Sequence, residues 1–436
     1  MCDIPVRPGS HDVSCPNFED LAMSTSTHSR RSRVLFSSVA KDALQLAKEG
    51  EWSFIRSGGA LQMAKETFNL RHPFGAKSGE PDAVRLIGIR ISDMCNLRCH
   101  TCGQWGDNGY LRGIPLKVLK QREIAVEKFM AMADEVKRLG WKPMWYIWGG
   151  EPMMYPGILE FIKYLDELGM PVTMVTNGIN VAENAAHFVK HLKILFLSID
   201  GPNAEIHDRQ RPGASGSGTR SNFAEIDAAL KALEAEKKKQ NRRLPYVQPI
   251  TTIAKYNADV LTDIYNYAAP YSNGHLFYFA WWIDQMSADA HTADYERRFG
   301  MKPAKHLGWI GDWTDFDHDV VAKKVNEIRA IYKREKKSFP MIWPPLETTE
   351  QVQTYYSDHN ADFGYDQCVS IYMTMEINAN GDVSLCRDYN DYVIGNIKEE
   401  SVGDIWYGDK AKKFRSSIAT DGIMPVCRRC CGLMGQ

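Results

Sequence analysis

Three cysteines with a regular spacing follow an apolar run: Cys95, Cys99 and Cys102. Thiolates on an irregular loop can wrap one corner of an iron–sulfur cluster, and Cys-x3-Cys-x2-Cys supplies three of them. A cluster of four irons with three protein ligands keeps one iron open, and a small molecule can chelate that iron. At this cysteine content the spacing has a chance expectation of roughly 0.005, so coincidental free thiols explain it poorly.

A second group of cysteines lies near the C-terminus and comprises Cys368, Cys386, Cys427, Cys430 and Cys431. The chain has no cysteine between positions 103 and 367, which predicts two separate cysteine sites with a cysteine-free body between them. Four cysteines at this spacing suit zinc as well as an iron–sulfur cluster, whereas a reducing cytoplasm disfavours disulfides. Cys2 and Cys15 lie in a polar N-terminal segment, and we expect no catalytic role for them.

The composition is that of an ordinary globular protein. Of the 436 residues 44% are hydrophobic and 25% are charged, and the net charge of -1 provides no basic field for nucleic acid. No apolar run approaches the roughly 18 residues that a membrane span needs, and the N-terminus lacks the apolar core of a secretory signal. We therefore predict a cytoplasmic protein, in which cysteines more often serve metals or catalysis than structural disulfides.

Short apolar strands alternate with amphipathic helices from Val84 onward. We predict strands at 84–91, 143–148, 171–176, 193–199, 246–253 and 275–283, with helices in the connections. The first of these helices has an apolar face that recurs at helical spacing: Val126, Met130, Ala133 and Val136. This alternation implies a parallel sheet with right-handed crossovers, either an open barrel of six units or a doubly wound sheet.

Five regions follow from these patterns. We predict a disordered leader at 1–33, a helical extension at 34–83, a core at 84–283, a bridge at 284–362 and a C-terminal cysteine domain at 363–436. The extension could lie on the main body or on a membrane surface. The bridge contains one amphipathic helix with the apolar face Val321, Val325, Ile328 and Tyr332. The C-terminal domain contains a hairpin that turns at Asn380-Gly381.

Motifs at the ends of the first four predicted strands resemble those of the radical S-adenosylmethionine (radical SAM) superfamily. They are CNLRCHTC, WGGEPMM, TNG and LSIDG, the last followed by HDRQR. The resemblance implies that Cys95, Cys99 and Cys102 hold a 4Fe–4S cluster that SAM completes. It implies contacts to SAM from Gly149, Gly150, Glu151, Asn177, Ser198, Asp200 and Arg211. Thr101 stands where the family usually has an aromatic residue that packs near the adenine.

The fold class that the resemblance implies is α/β, a partial (β/α)6 TIM-like barrel with a small C-terminal α+β domain that binds a cluster. All the motifs fall at the carboxyl ends of predicted strands, where parallel-sheet enzymes place their sites. Gly149 and Gly150 allow the backbone to approach a ligand closely, and Glu151 offers an acceptor for an ammonium group.

The C-terminal cysteines, with Gly381, form the pattern Cys-x12-Gly-x4-Cys followed by Cys-x2-Cys. This pattern resembles the SPASM and Twitch extensions of radical SAM enzymes, and five cysteines fit the shorter Twitch form. The resemblance implies one auxiliary 4Fe–4S cluster on Cys368, Cys386, Cys427 and Cys430. Cys431 has no place in the pattern, and it is an alternate ligand, a spare thiol or a hydrogen donor to a substrate radical.

The function that the resemblance implies is reductive cleavage of SAM to a 5′-deoxyadenosyl radical, which abstracts a hydrogen atom from a substrate. We predict a small-molecule substrate that is oxidised or epimerised, such as a sugar, a cyclitol or a nucleoside, and a flavodoxin- or ferredoxin-type electron donor. Residues 34–83 lack the hairpin signal of a peptide-binding module, which favours a small molecule. A peptide or lipid maturase of the same superfamily and a non-catalytic iron–sulfur electron-transfer protein are the alternatives.

Overall fold

The computed structural model describes residues 81–434 except for positions 82, 215–220 and 312–313. The predicted leader at 1–33 and almost all of the predicted extension at 34–83 lie outside this part of the chain. The described residues belong to one compact unit that contains a sheet of ten strands. No helix in these residues combines the length and the apolar character that crossing a membrane requires.

Seven parallel strands follow one another in chain order and form the body of the sheet. They are β1 (Leu86–Arg90), β2 (Met144–Trp148), β3 (Val172–Thr176), β4 (Ile194–Ser198), β5 (Tyr246–Ile253), β6 (Gly274–Phe279) and β7 (Phe339–Trp343). β1 to β6 coincide with the six predicted strands, and the predicted α/β class with a partial, barrel-like parallel core is confirmed. The sheet is not a closed barrel, because β7 forms one of its edges.

The edge strand β7 lies in the segment predicted as a bridge, where the sequence pattern indicates one helix and no strand. Pro340 interrupts the pattern, because proline lacks the backbone donor that a strand ladder uses. An edge strand tolerates this loss, since one of its sides has no ladder to complete. The segment at 284–362 therefore contributes a strand to the core sheet, and its described residues form three α-helices, Gln285–Phe299, His318–Glu335 and Thr349–Ser357, rather than one.

The predicted C-terminal hairpin extends the same sheet on its other side. β8 (Thr374–Ile377) pairs in parallel with β1, and β9 (Asp382–Ser384) pairs antiparallel with β8. β10 (Gly395–Asn396) completes the sheet next to β9. Gly381 has a φ of 89° in the turn, a conformation that glycine adopts without strain. The cysteine-rich C-terminal segment is thus continuous with the core through the β1–β8 ladder.

Helices fill the connections and cover the outer side of the sheet. They are α1 (Leu116–Arg122), α2 (Val126–Arg138), α3 (Ile158–Glu167), α4 (Ala185–His191), α5 (Ala204–Gln210), α6 (Asn222–Lys239), α7 (Leu261–Ala268), α8 (Gln285–Phe299), α9 (His318–Glu335), α10 (Thr349–Ser357), α11 (Val402–Tyr407), α12 (Asp409–Asp421) and α13 (Cys431–Met434). α9 buries its predicted apolar face. α2 is rotated from the prediction, since Phe129 and Met132 are buried whereas Met130 is only half-buried.

The sheet has one apolar face and one face with polar and aromatic side chains. Partners in a parallel ladder point to the same side, so the register Gly88↔Tyr146, Arg90↔Trp148 and Gly88↔Glu376 places these residues together. The same register continues through β3, β4 and β5 to Tyr278 on β6. We call this side the inner face, and its members include Arg90, Tyr146, Trp148, Ser198, Tyr278 and Glu376.

Candidate functional site

The loop with the first three cysteines connects β1 to α1 and is held by backbone bonds to the segment that follows α5. Arg98 N donates to Pro212 O at 2.7 Å, and Ala214 N donates to Asn96 O at 2.8 Å. His100 N donates to Gln210 O at 3.2 Å. These bonds place Arg211 next to the cysteines. The cysteine motif and the motif that contains Arg211 are therefore close in space although they are far apart in the chain.

The three thiols lie close enough to influence one another electrostatically. Burial raises the pKa of Cys99 to about 12, and the Arg211 guanidinium, whose Nη1 lies 3.8 Å from Cys99 Sγ, opposes that rise. Burial also raises the pKa of Cys95, and the neighbouring Cys99 raises it further. A half-buried donor set that contains only sulfur suits an iron–sulfur cluster, and the adjacent cation offsets the negative charge that thiolate ligands bring. Cys95, Cys99 and Cys102 therefore suit a 4Fe–4S cluster.

The Gly149-Gly150-Glu151 turn packs directly on the start of the cysteine loop. Gly150 N donates to Ser92 O and Glu151 N donates to Met94 O, both at 2.7 Å. A Cβ on Gly150 would overlap the carbonyl oxygen of Met94, so this close approach requires glycine. The end of β2 and the cysteine loop are thereby fixed relative to each other.

The Glu151 carboxylate is 1% exposed and joins the ends of two strands. It accepts hydrogen bonds from Thr176 Oγ1 at 2.6 Å, Asn177 N at 2.8 Å and Met153 N at 3.0 Å. Burial raises its pKa to about 7, although these bonds favour the charged form. A carboxylate can accept about four hydrogen bonds, so one acceptor position stays available for a ligand.

The remaining predicted contacts lie at the ends of β3 and β4. Asn177 Nδ2 donates to Asn96 Oδ1 at 2.8 Å, which ties β3 to the cysteine loop. Asp200 accepts from Arg211 Nε at 2.5 Å and from Thr252 N at 2.8 Å. Ser198 is 8% exposed and occupies the inner face at the end of β4. The residues predicted to contact SAM thus lie against the cysteine loop or against Arg211 beside it, apart from Ser198, which is placed by its position at the end of β4.

The C-terminal cysteines form a second sulfur cluster, in which Cys427 is buried and the others are half-buried. Cys386 follows β9, and Cys427 and Cys430 lie at the 3-10 turn Pro425–Arg429. Burial raises the pKa of Cys427 to about 12, and Cys368 raises it further. Burial, then Cys427 and Cys368, raise the pKa of Cys386 well above its ordinary value. The four predicted ligands are thus neighbours, and their chemistry fits an iron–sulfur cluster.

Cys431 lies beside the predicted ligand Cys430 and beside Asp388. Its Sγ donates to Asp388 Oδ2 at 3.1 Å, and ligand atoms of Asp388, Cys430 and Cys431 lie within 4.8 Å of one another. Burial raises the pKa of Tyr278 well above its usual range, and Cys431 is the next cause. The sequence did not predict a role for Asp388, because an isolated aspartate after a hairpin has the pattern of an ordinary surface residue.

An ion pair on the inner face was also missed by sequence. Arg387 Nη2 and Nε both lie 2.8 Å from Glu376 Oε1, and the guanidinium lies 4.5 Å from the Tyr146 ring centroid. Trp148 Nε1 donates to Glu376 Oε2 at 3.3 Å. The one available signal was period-two alternation, which places Arg90, Tyr146 and Trp148 on one face as soon as the strand pairing is known.

Two family models match the chain. The model of the Radical SAM superfamily matches residues 89–259, and the SPASM iron–sulfur cluster-binding domain matches residues 368–431. The first match spans the cysteine loop and the strand-end motifs. The second spans the four C-terminal cysteines and Cys431.

Individual proteins with similar sequences or structures extend these matches to most of the chain. An AdoMet-dependent heme synthase of Methanosarcina barkeri is 28% identical over 361 residues, which cover 80% of this chain and 89% of that protein. A tungsten-containing aldehyde ferredoxin oxidoreductase cofactor-modifying protein of Pyrococcus furiosus is 21% identical over 358 residues, covering 80% and 87%. The structure of Streptococcus suis SuiB bound to the precursor peptide SuiA has a TM-score of 0.52 at 15% identity, covers 90% of this chain and 83% of SuiB, and shows a shared fold.

Proposed function

Because the chain belongs to the radical SAM superfamily of enzymes and carries a C-terminal SPASM domain, we propose that it abstracts a hydrogen atom from a small-molecule substrate. Membership implies SAM and a 4Fe–4S cluster in the core, and the SPASM domain implies auxiliary iron–sulfur clusters. When bound, the core cluster and SAM supply the 5′-deoxyadenosyl radical that performs the abstraction.

In this proposal Cys95, Cys99 and Cys102 hold the core cluster. Arg211 neutralises part of the thiolate charge, and its bond to Asp200 fixes the guanidinium beside Cys99. Bonds from the cysteine loop to the segment at 210–214 keep the three sulfurs in one place without a disulfide. Such pre-ordering lowers the entropic cost of binding the cluster.

The SAM site in this proposal lies between the Gly-Gly-Glu turn and the end of β4. Backbone groups of Gly149 and Gly150 approach the ligand, and the free acceptor position of Glu151 takes its ammonium group. The Ser198 hydroxyl has no hydrogen-bond partner in the described chain, and it contacts SAM together with Arg211 and Asp200. Asn177 acts through Asn96, so it is a positioning residue.

Cys368, Cys386, Cys427 and Cys430 hold one auxiliary 4Fe–4S cluster in this proposal. The set offers four thiolates, which is the full complement for one cluster and too few for two. Cluster ligation would also stabilise the C-terminal region, whose strands extend the sheet of the core. A flavodoxin- or ferredoxin-type protein is the proposed electron donor.

The substrate that we propose is a small molecule of cofactor size rather than a sugar. Two relatives that align over four fifths of the chain are named as a heme synthase and a cofactor-modifying protein. A peptide or lipid substrate remains the alternative, and the likeness to SuiB does not favour it, because at that identity only the fold is shared. An electron carrier without catalysis has no use for a Gly-Gly-Glu turn bonded to its cluster loop.

The observation that carries the proposal is the pair of backbone bonds that joins the Gly-Gly-Glu turn to the cysteine loop. Anaerobic incubation with SAM and dithionite tests it, with 5′-deoxyadenosine as the product measured. We expect product from the wild type and from the Cys15→Ala variant, and none above background from a Cys95→Ala, Cys99→Ala, Cys102→Ala triple variant. Equal amounts from the triple variant would contradict the proposal.

A further inference from the structure

A buried arginine on the inner face has no hydrogen-bond partner in the part of the chain that the structure describes. Arg90 ends β1 and is 4% exposed. Its guanidinium lies between two rings, 5.2 Å from the Trp148 centroid and 5.6 Å from the Tyr110 centroid. The nearest carboxylate oxygen, Asp93 Oδ1, is 3.9 Å from Nη1, which is too far for a hydrogen bond, and the buried Nε donates to no atom.

A second cation lies near this guanidinium. Lys305, in the 3-10 turn Lys305–Trp309, donates from Nζ to Asn390 O at 2.8 Å. Burial lowers the pKa of Lys305 to about 8, and the positive charge of Arg90 is the second cause. Asp391, Asp382 and Asp93 face it and act in the opposite direction. The two cations therefore repel each other in a region with little water to screen them.

The nearby acidic groups do not satisfy Arg90. Asp93 Oδ1 lies 3.9 Å from Arg90 Nη1, beyond hydrogen-bond distance. Asp388 accepts a hydrogen bond from Cys431, and no hydrogen bond joins it to Arg90 in the described chain. The Arg387 guanidinium is already neutralised by Glu376, so we do not assign it to the oxyanion. A buried guanidinium without a hydrogen-bond acceptor is costly, and a bound oxyanion would remove that cost.

We propose that Arg90 and Lys305 bind a carboxylate of the substrate, which makes the substrate an organic acid. This inference rests on the proposed function and names its substrate class. The two flanking rings suit a carboxylate attached to an apolar or aromatic body. A Cβ on Gly149 would lie 3.1 Å from Arg90 Cγ, so the stem of Arg90 packs on the Gly-Gly-Glu turn and places the acid beside the SAM site.

The carboxylate of SAM is the other possible source of an oxyanion at this position. The proposal assigns Arg90 to the substrate because Ser198, a proposed SAM contact, ends β4, which is three strands away from β1 in the sheet. The experiment therefore uses protein that is saturated with SAM, so that a SAM carboxylate on Arg90 would block the probe.

The probe is 3-phenylpropionate, with 3-phenylpropionamide as the matched neutral compound. Anaerobic calorimetry on the reconstituted, SAM-saturated protein measures both. We expect the carboxylate to bind at least tenfold more tightly than the amide. Arg90→Gln and Lys305→Met should each reduce that ratio at least fivefold, whereas Arg112→Gln should keep it, because Arg112 is exposed and bonds only to a loop carbonyl in the described chain.

Equal binding of the two compounds, or loss of carboxylate binding on saturation with SAM, would overturn the inference. So would an unchanged ratio in both variants. Circular dichroism and iron content check that each variant is folded and loaded, and the two variants alter different elements. Formation of 5′-deoxyadenosine by the wild type is measured in parallel, so failure of the proposed function is recognised separately from failure of the acid site.

Discussion

Glu151 and Thr176 are joined by a hydrogen bond of 2.6 Å from the Thr176 hydroxyl to Oε1 of the carboxylate. The bond ties the end of β2 to the end of β3, and Asn177 N bonds the other carboxylate oxygen. Since the backbone N–H of Glu151 also donates to the cysteine loop, this one residue links three segments of the site. A change at this position should therefore affect ligand binding and local order together.

We expect Glu151→Gln to weaken SAM binding by about tenfold to a hundredfold, because an amide removes the charge and half of the acceptor capacity. Calorimetry on anaerobically reconstituted protein measures the dissociation constant. The matched control is Glu160→Gln, on the exposed side of α3. A dissociation constant equal to that of the wild type would contradict the role given to Glu151.

The buried pair Arg387–Glu376 should contribute to stability in an asymmetric way. Arg387→Met leaves the 4%-exposed Glu376 side chain charged and unpaired, and we expect it to lower the free energy of unfolding by about 3–5 kcal/mol. Glu376→Gln keeps a polar side chain for Trp148 and should cost less. Denaturant titration of both variants and of the double variant gives the coupling energy. A coupling near zero would show that the pair is not formed.

Stability should fall in mild acid because of His275. This side chain is fully buried, its Nε2 lies 2.8 Å from Thr251 Oγ1, and burial lowers its pKa to about 3. The unfolded state binds a proton near pH 6.5, so the stability contributed by the neutral ring is present above that pH and is lost as pH falls toward 3.

The His275→Gln variant tests that dependence, because glutamine keeps a polar partner for Thr251 and does not titrate. Between pH 7.5 and pH 5.5 the wild type should lose about 1.4 kcal/mol more than the variant, because one pH unit of this interval lies below pH 6.5. Denaturant titrations at the two pH values measure both losses. Equal losses would show that His275 does not carry the effect.

The number of clusters can be counted by metal analysis. One core and one auxiliary 4Fe–4S cluster give roughly eight irons per chain. A Cys386→Ser, Cys427→Ser double variant should retain about half of that iron, whereas Cys431→Ser should retain all of it. Zinc in place of half of the iron, or close to twelve irons, would contradict the assignment of the C-terminal cysteines.

Local patterns in the sequence predict most strands of the core, whereas they do not predict which strands pair when these are far apart in the chain. β1 to β6 could be predicted because each is an apolar run followed by a helix with its own periodicity. β7 was missed since Pro340 breaks a short pattern at the sheet edge. The parallel pairing of β8 with β1 joins segments far apart in the chain, and no local signal reports it.

The candidate site divides in the same way. The cysteine loop and the strand-end motifs are contiguous in sequence, so their chemistry can be recognised before the fold is known. Arg90, Asp388 and Lys305 are single residues on three different segments. Their role in the candidate site depends on burial and on mutual distances that only the folded sheet creates. The sequence of any one segment cannot predict those quantities.

The most direct test of the account is whether SAM binds to the cluster on Cys95, Cys99 and Cys102. The Cys386→Ser, Cys427→Ser variant, in which the core cluster is the expected source of signal, is reconstituted and reduced anaerobically, and its electron paramagnetic resonance spectrum is recorded before and after SAM is added. We predict a 4Fe–4S signal whose g-values shift with SAM, and loss of the signal in the further Cys99→Ala variant. A spectrum that SAM leaves unchanged, or a protein with zinc and no iron at these cysteines, would contradict the central claim.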